Sequence, residues 1–215
     1  MIEAIRRATA GHAPVFLLIA GPNGASKSTF TEKWLKPLDF PSVDPDAIGR
    51  EFFGRHAASA AEALWASREA AQRVRRHFLE RTSVALETVF SDTKGYKLGL
   101  IAEARAVGFR TILIFIGVDS PEICIARVMD RVDQGGHDVD DEVIKERFPR
   151  CFENLKKALK IVDLTILVDN SGEERHYIFG EIECDHAVRL ERVLPRWYAD
   201  QSIATEVKKS CVPEG

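Results

Sequence analysis

No run of the chain approaches the ~20 apolar residues that a membrane-spanning helix needs. Its opening stretch, Met1 to His12, carries charges but not the apolar core of a secretory signal. Both absences predict a cytoplasmic protein with no membrane partner. Cysteine is scarce and widely spaced, at Cys124, Cys151, Cys184 and Cys211, with no Cys-x-x-Cys pair and no histidine at zinc-ligand distance. A disulfide framework and a structural zinc are thereby disfavoured, and the thiols read as reduced and structural. Excess positive charge is lacking too: 30 Lys and Arg against 33 Asp and Glu leave a net −3. Without a global basic field, nucleic acid is a disfavoured partner. No internal repeat or low-complexity linker divides the 215 residues, which fit a single domain over 1–215.

The composition that is present, 45% hydrophobic and 29% charged, is that of a globular protein able to bury a sizeable core. Pro14 to Ala20 is apolar without alternation, as suits a parallel strand covered on both faces. A glycine-rich loop follows it, and then a helix from Lys27 to Leu35 that Pro37 stops. Phe40 to Val43 reads as a second strand, and Ala57 to Thr82 as a long amphipathic helix with Trp65 and Phe78 in the core and Arg73, Arg75 and Arg76 on a solvated face. Ser83 to Thr88, Thr111 to Val118 and Leu164 to Val168 read as further strands. Helices are predicted over Lys97 to Val107, Pro121 to Val132 and Asp140 to Lys160, the last interrupted at Pro149. The spacing predicts a hairpin from Arg175 to Cys184 and a terminal helix from Ala187 to Tyr198, with a fraying end beyond Gln201. Strands alternating with helices in this way specify an α/β fold. It has a mainly parallel central sheet with helices on both faces, and ligands gather at the carboxyl ends of its strands.

The loop reads Gly21-Pro22-Asn23-Gly24-Ala25-Ser26-Lys27-Ser28-Thr29. Glycines let successive backbone N–H groups turn inward around phosphate oxygens. Lys27 stands where a cation meets the β- and γ-phosphates of ATP, and Ser28 where a hydroxyl ligates Mg²⁺. The consensus G-x-x-x-x-G-K-[ST] fails at one place, because Ser26 occupies the second glycine position. Should that position need a positive φ, serine incurs ~1 kcal/mol or more of strain. The competing reading is a glycine-rich turn that holds no nucleotide.

Four segments together resemble the zeta-toxin-type kinases. They are the loop itself, Asp44-Pro45-Asp46, Glu87-Thr88, and the stretch from Arg127 through Arg131 to Gly135-Gly136-His137 and Val139. The resemblance runs from about Phe16 to Asn170. It implies a kinase-like, three-layer P-loop fold and transfer of the ATP γ-phosphate to a hydroxyl. In characterised zeta toxins that hydroxyl belongs to UDP-N-acetylglucosamine, and an antitoxin protein can be the partner. The chain departs from the pattern after Glu87, where Thr88-Val89-Phe90-Ser91-Asp92 stands in place of the usual Gly-Thr.

By the resemblance, Lys27 and Ser28 serve ATP and Mg²⁺, Asp46 serves the acceptor hydroxyl, Glu87 and Thr88 the acceptor, and Arg127 or Arg131 the transferring phosphate. Chemistry supports each role and supplies a plainer rival. Asp46 follows a strand and is suited to general-base work, but an N-cap for a helix starting at Ala47 is the alternative, and Asp44 competes for either role. Glu87 closes an apolar strand, where an unpaired carboxylate is costly unless it meets a ligand, a metal-bound water or a cation. Arg127 and Arg131 lie four apart on one helical face, suited either to phosphate or to pairing with Glu122, Asp130 or Asp133. Arg147 is a further candidate for phosphate or substrate, and His137 either a lid residue or part of a turn. Two rivals to a small-molecule kinase remain: a nucleoside or polynucleotide kinase, and an ATP-binding regulatory module weakened by Ser26. A transporter-type ATPase is disfavoured because no Leu-Ser-Gly-Gly-Gln signature occurs.

Overall fold

The structure, a computed structural model, describes residues 2–11, 13–136, 138–172, 176–184 and 186–207. Its centre is a seven-stranded sheet in the order β2-β3-β1-β4-β5-β6-β7. The strands are β1 (Val15–Ala20), β2 (Ser42–Val43), β3 (Val84–Thr88), β4 (Arg110–Gly117), β5 (Leu164–Asp169), β6 (Tyr177–Glu183) and β7 (His186–Leu190). β2 to β5 run parallel with β1, whereas β6 and β7 add antiparallel at one edge. The mainly parallel α/β architecture is therefore as the sequence predicts.

The apolar run of β1 is buried at every residue, with Leu18 aligned between Leu86 of β3 and Leu113 of β4. A strand covered on both faces has no reason to alternate. Around the sheet lie α1 (Ile2–Thr9), α2 (Lys27–Phe30), α3 (Pro45–Phe53), α4 (Ala60–Glu80), α5 (Tyr96–Ala106), α6 (Pro121–Asp133), α7 (Asp141–Ala158) and α8 (Arg196–Asp200). α2 continues through a π turn (Thr31–Leu35) and a 3-10 turn (Lys36–Leu38). α4 starts where the Ser59 side chain accepts from the Glu62 N–H, and it buries Ala66, Ala70, Val74 and Phe78 at intervals of four.

Several expectations are corrected. Pro149 does not interrupt α7, which is continuous over Asp141–Ala158. Ile144, Phe148, Cys151, Phe152 and Leu155 bury one face of it, and that burial offsets the backbone bond the proline removes. The expected helix over 187–198 is instead β7 followed by the short α8, which begins only after Pro195. The terminal hairpin is thus β6–β7, and its expected starting residue, Arg175, lies outside the described residues, as does most of the end beyond Gln201. Phe78 is core, but Trp65 is 36% exposed and stacks on Phe52 and Phe53, with ring centroids 4.2 and 5.3 Å away. The arginines of α4 form the solvated face expected of them: Arg73 pairs with Glu51 and Glu69, and Arg75 with Glu103. Cys124 and Cys151 are buried free thiols, pushed up to about 12 by burial, Cys184 is free and exposed, and Cys211 lies outside the described residues. No described helix is long and apolar enough to cross a membrane.

Candidate active site

The loop between β1 and α2 is held in place by contacts that tolerate only glycine at two positions. Gly21 has φ 154°, and a Cβ there would lie 2.2 Å from the Ile116 carbonyl oxygen of β4. Gly24 has φ 72°, and its Cβ would lie 2.4 Å from the Cys124 carbonyl oxygen of α6. Ser26 adopts the left-handed conformation, φ 64° and ψ 39°, so the sterically disfavoured geometry foreseen for serine is present. No side chain caps the start of α2, leaving the helix N-terminus and its positive dipole end available to an anion. Lys27 is 8% exposed and its Nζ donates to the Pro22 carbonyl at 2.8 Å, so the lysine lies folded back over its own loop.

Sheet order then delivers an acid. β3 is the direct neighbour of β1, with Glu87 level with Ile19. Ser28 Oγ donates to Glu87 Oε1 at 2.6 Å, and Thr31 Oγ1 donates to Glu87 Oε2 at 3.0 Å. Burial pushes the Glu87 carboxyl above the usual carboxylate range, the Asp44 charge adds to that, and the Lys27 cation with the two hydroxyl bonds opposes it. Thr31 was not singled out from the sequence, although it lies one helical turn beyond Ser28. Asp44 is raised chiefly by burial, against the bonds it accepts from the Asp46 and Ala47 N–H groups.

Those two bonds make Asp44 the N-cap of α3. Asp46 is therefore not the cap: it stands exposed in the first turn of α3, two residues beyond the aspartate facing Glu87. Thr88 Oγ1 accepts from the Phe90 N–H at 3.3 Å, and the connection after β3 is tied to α7. Asn154 Nδ2 donates to the Phe90 and Asp92 carbonyls, and Cys151 Sγ to the Val89 carbonyl. Both Asp92 carboxylate oxygens are buried and accept no protein hydrogen bond, while the buried Lys97 donates to Ser67 Oγ at 2.9 Å. The Asp92 charge acts on the Lys97 ammonium, and sequence reasoning missed both: Asp92 lies in a loop without periodicity, and Lys97 in the first turn of α5.

Arg127 and Arg147 are half-buried and Arg131 is exposed. The charges of Lys27 and Arg127 both act on the Cys124 thiol, and those of Lys27 and Arg147 on Cys151, so both arginines belong to the lysine's neighbourhood. Arg131 instead closes the end of α6, where its carbonyl accepts from Gly136 N–H at 2.9 Å. His137 lies outside the described residues.

Among the described residues no cluster of three or more His, Cys, Asp or Glu is arranged to hold a metal by itself. A serine hydroxyl beside a half-buried carboxylate, next to a phosphate loop, is nonetheless the oxygen donor set Mg²⁺ accepts, since that ion shares its shell between one or two protein oxygens, phosphates and water. Ser28 and Glu87 fit it.

Strand order, loop and acid together define a P-loop kinase-like α/β protein. The chain belongs to the AAA domain family AAA_33, whose model matches residues 16–151. Solved structures carry the same fold at low identity. The complex AvrRxo1-ORF1:ORF2 with ATP superposes with a TM-score of 0.63 at 14% identity, over 99% of this chain and 69% of that one. The PezAT chromosomal toxin–antitoxin system of Streptococcus pneumoniae gives 0.58 at 15% identity, over 81% and 76%. A chain of the Pnkp1/Rnl/Hen1 RNA repair complex gives 0.56 at 18% identity, over 70% of this chain and 48% of that one. Against curated protein sequences the chain finds no match.

Proposed function

We propose that the protein is an ATP- and Mg²⁺-dependent phosphotransferase of zeta-toxin type that moves the ATP γ-phosphate to a hydroxyl of a small molecule in the cytoplasm. The observation that carries this reading is the contact between Ser28 and the half-buried Glu87 at the mouth of a glycine-built phosphate loop. A carboxylate is costly to bury beside a hydroxyl unless a cation or ligand completes it.

In this reading backbone N–H groups within residues 23–29 cradle the phosphates. Lys27 leaves the Pro22 carbonyl to meet the β- and γ-oxygens, and Ser28 with Glu87 would hold the metal. Thr31 orients Glu87. Magnesium, when bound, neutralises charge on the β- and γ-phosphates. Asp46, released from capping duty by Asp44, accepts the proton of the acceptor hydroxyl. The acceptor oxygen forms its bond to the γ-phosphorus, the bond from that phosphorus to the bridging oxygen breaks, and ADP carries the electron pair away. Arg127 stabilises charge on the transferring group in this reading, with Arg147 as a second contact and Arg131 as a residue that reaches the site only if the turn after α6 closes. Glu87 therefore moves from acceptor binding to the metal side, and Thr88 with the following loop remains the acceptor wall.

A UDP-amino sugar such as UDP-N-acetylglucosamine is the first acceptor to test. The likeness to a toxin–antitoxin system motivates testing for an antitoxin partner, and the likeness to an RNA repair complex motivates including nucleosides and 5′-hydroxyl oligonucleotides. A second reading, an ATP-binding module without turnover, is favoured by the left-handed Ser26. Purified protein with ATP, Mg²⁺ and this acceptor panel separates them: a phosphorylated product supports the kinase, and tight ATP binding without product supports the module. Asp46→Asn is expected to lower turnover about 10²- to 10⁴-fold while leaving ATP affinity within about twofold. ATP binding that is absent in the wild type, or unchanged in Lys27→Ala, overturns both readings.

A further inference from the structure

Two side chains from the connection between β5 and β6 grip the phosphate loop from behind. Asn170 is fully buried and its Nδ2 donates to the Ala25 carbonyl at 3.0 Å. His176 is 6% exposed, with Nε2 at 3.2 Å from the Ser26 carbonyl oxygen. A carbonyl oxygen only accepts, so Nε2 carries the proton in this contact. The two grips are joined, because the His176 N–H donates to Asn170 Oδ1 at 3.3 Å. Each is also anchored. The Asn170 N–H donates to the Gly117 carbonyl of β4 at 2.9 Å, and the His176 ring meets Phe30 of α2 edge-on at 5.3 Å.

A peptide unit is planar, with its carbonyl and the following N–H pointing in opposite directions. Holding the Ala25 oxygen from behind therefore aims the Ser26 N–H forward, and holding the Ser26 oxygen aims the Lys27 N–H forward. Forward is where a phosphate-cradling loop offers its donors. The Ser26 carbonyl also accepts from the Phe30 N–H at 3.0 Å, so it is held from two sides. This grip joins two of the seven described non-glycine residues with positive φ: Ser26 has φ 64°, and His176 itself has φ 63°. Strained residues in contact persist only where the surroundings over-determine them.

We infer that Asn170 and His176 are positioning residues of the phosphate loop, which hold the Ser26 and Lys27 amides in their anion-facing direction and keep serine in a conformation that favours glycine. The ligand those amides serve rests on the function proposed above; the brace does not. It makes a distinctive demand, because its importance depends on residue 26. With glycine there, the left-handed geometry carries little penalty, and loss of the histidine donor is expected to matter less.

The test is a cycle of wild type, Ser26→Gly, His176→Phe and the double variant, since phenylalanine keeps the ring against Phe30 and removes the donor. Hydrogen exchange at the amides of residues 25 and 30, which donate to the Pro22 and Ser26 carbonyls, read by NMR without ligand, is expected to speed up about tenfold in His176→Phe and by less than about twofold when glycine is at 26. ATP affinity, read by calorimetry with Mg²⁺, is expected to fall about fivefold and less than about twofold respectively. Equal effects in both backgrounds, or unchanged exchange at both amides, would overturn the brace. If the wild type binds no ATP, the nucleotide reading falls and the exchange arm alone decides the brace. If His176→Phe does not fold, His176→Gln and Asn170→Asp decide it. The first keeps a donor and is expected to exchange as the wild type, the second loses the donor and is expected to exchange faster, and the reverse result refutes the inference.

Discussion

Glu87→Gln is the substitution for which the structure makes the sharpest demand. Burial raises the Glu87 carboxyl, and the Lys27 cation with the hydroxyls of Ser28 and Thr31 only partly offsets this. An acid with a raised folded value binds its proton more readily in the native state than when unfolded. Its contribution to stability is therefore fully present below the unfolded carboxylate range and is lost as pH rises through the folded value. Above that folded value the ionised carboxylate is a cost to the ligand-free protein. Glutamine keeps an oxygen to accept from Ser28 and removes the charge. Relief of a partly compensated buried polar group is worth about 1 kcal/mol, and for a chain of 215 residues that raises the melting temperature by about 2–4 °C. Calorimetric melts without nucleotide from pH 4 to 8 are expected to show the variant melting higher at pH 7.5, with the gain shrinking as pH falls. In the same variant Mg²⁺-dependent ATP affinity is expected to drop about tenfold, because an anionic oxygen beside Ser28 is gone. A variant that melts lower at pH 7.5, or one whose gain is the same at every pH, refutes the argument that Glu87 is a desolvated carboxylate awaiting a cation.

Other sites carry simpler expectations. Gly117→Ala puts a Cβ 2.4 Å from Trp197 Cε2, so α8 must shift, at a cost of about 1–3 kcal/mol, and the tryptophan emission is expected to move red; unchanged stability and emission refute the packing of α8 on β4. Pro149→Ala restores an N–H inside a continuous α7 and is expected to stabilise the chain by about 1 kcal/mol or more, whereas a lowered melting temperature would show that the proline bends the helix to fit. Trp65→Ala, which unstacks rings already near solvent, is expected to cost about 1 kcal/mol or less, far below the ~3–5 kcal/mol of a core tryptophan, and a larger loss in a urea titration counts against the exposed placement.

The parallel half of the fold was legible because its strands are buried on both faces. Val15 to Ala20 and Arg110 to Gly117 are apolar almost throughout, and a short continuous apolar run beside a glycine-rich turn suits a strand covered on both faces. β7 was not legible for the opposite reason. His186, Val188, Arg189 and Leu190 all face solvent at the edge of the sheet, so the segment carries no alternation, and its extended form comes from pairing with β6. Pro149 misled because local backbone preference was weighed without the apolar face of α7, which spans the proline on both sides. Trp65 misled because it lies at helical spacing close to the buried stripe yet falls just off it, against Phe52 and Phe53.

The site divides along the same line. Everything that depends on adjacent residues was visible: the glycines, Lys27, Ser28, and Ser26 as the place where a positive φ would strain a serine. What depends on strand order was not. Glu87 is 59 residues from Ser28, and only the insertion of β3 directly beside β1 turns a carboxylate expected at the acceptor into the partner of the serine hydroxyl. The same holds for Asp44 and Asp46, whose rivalry sequence left open. Once Asp44 bonds the two N–H groups at the head of α3, its neighbour two residues on keeps a carboxylate with no capping role, in the first turn of a helix that begins beside the loop's acid. On the function proposed above, that exposed carboxylate is the one that serves the acceptor, while Asp44 holds the head of the helix that carries it.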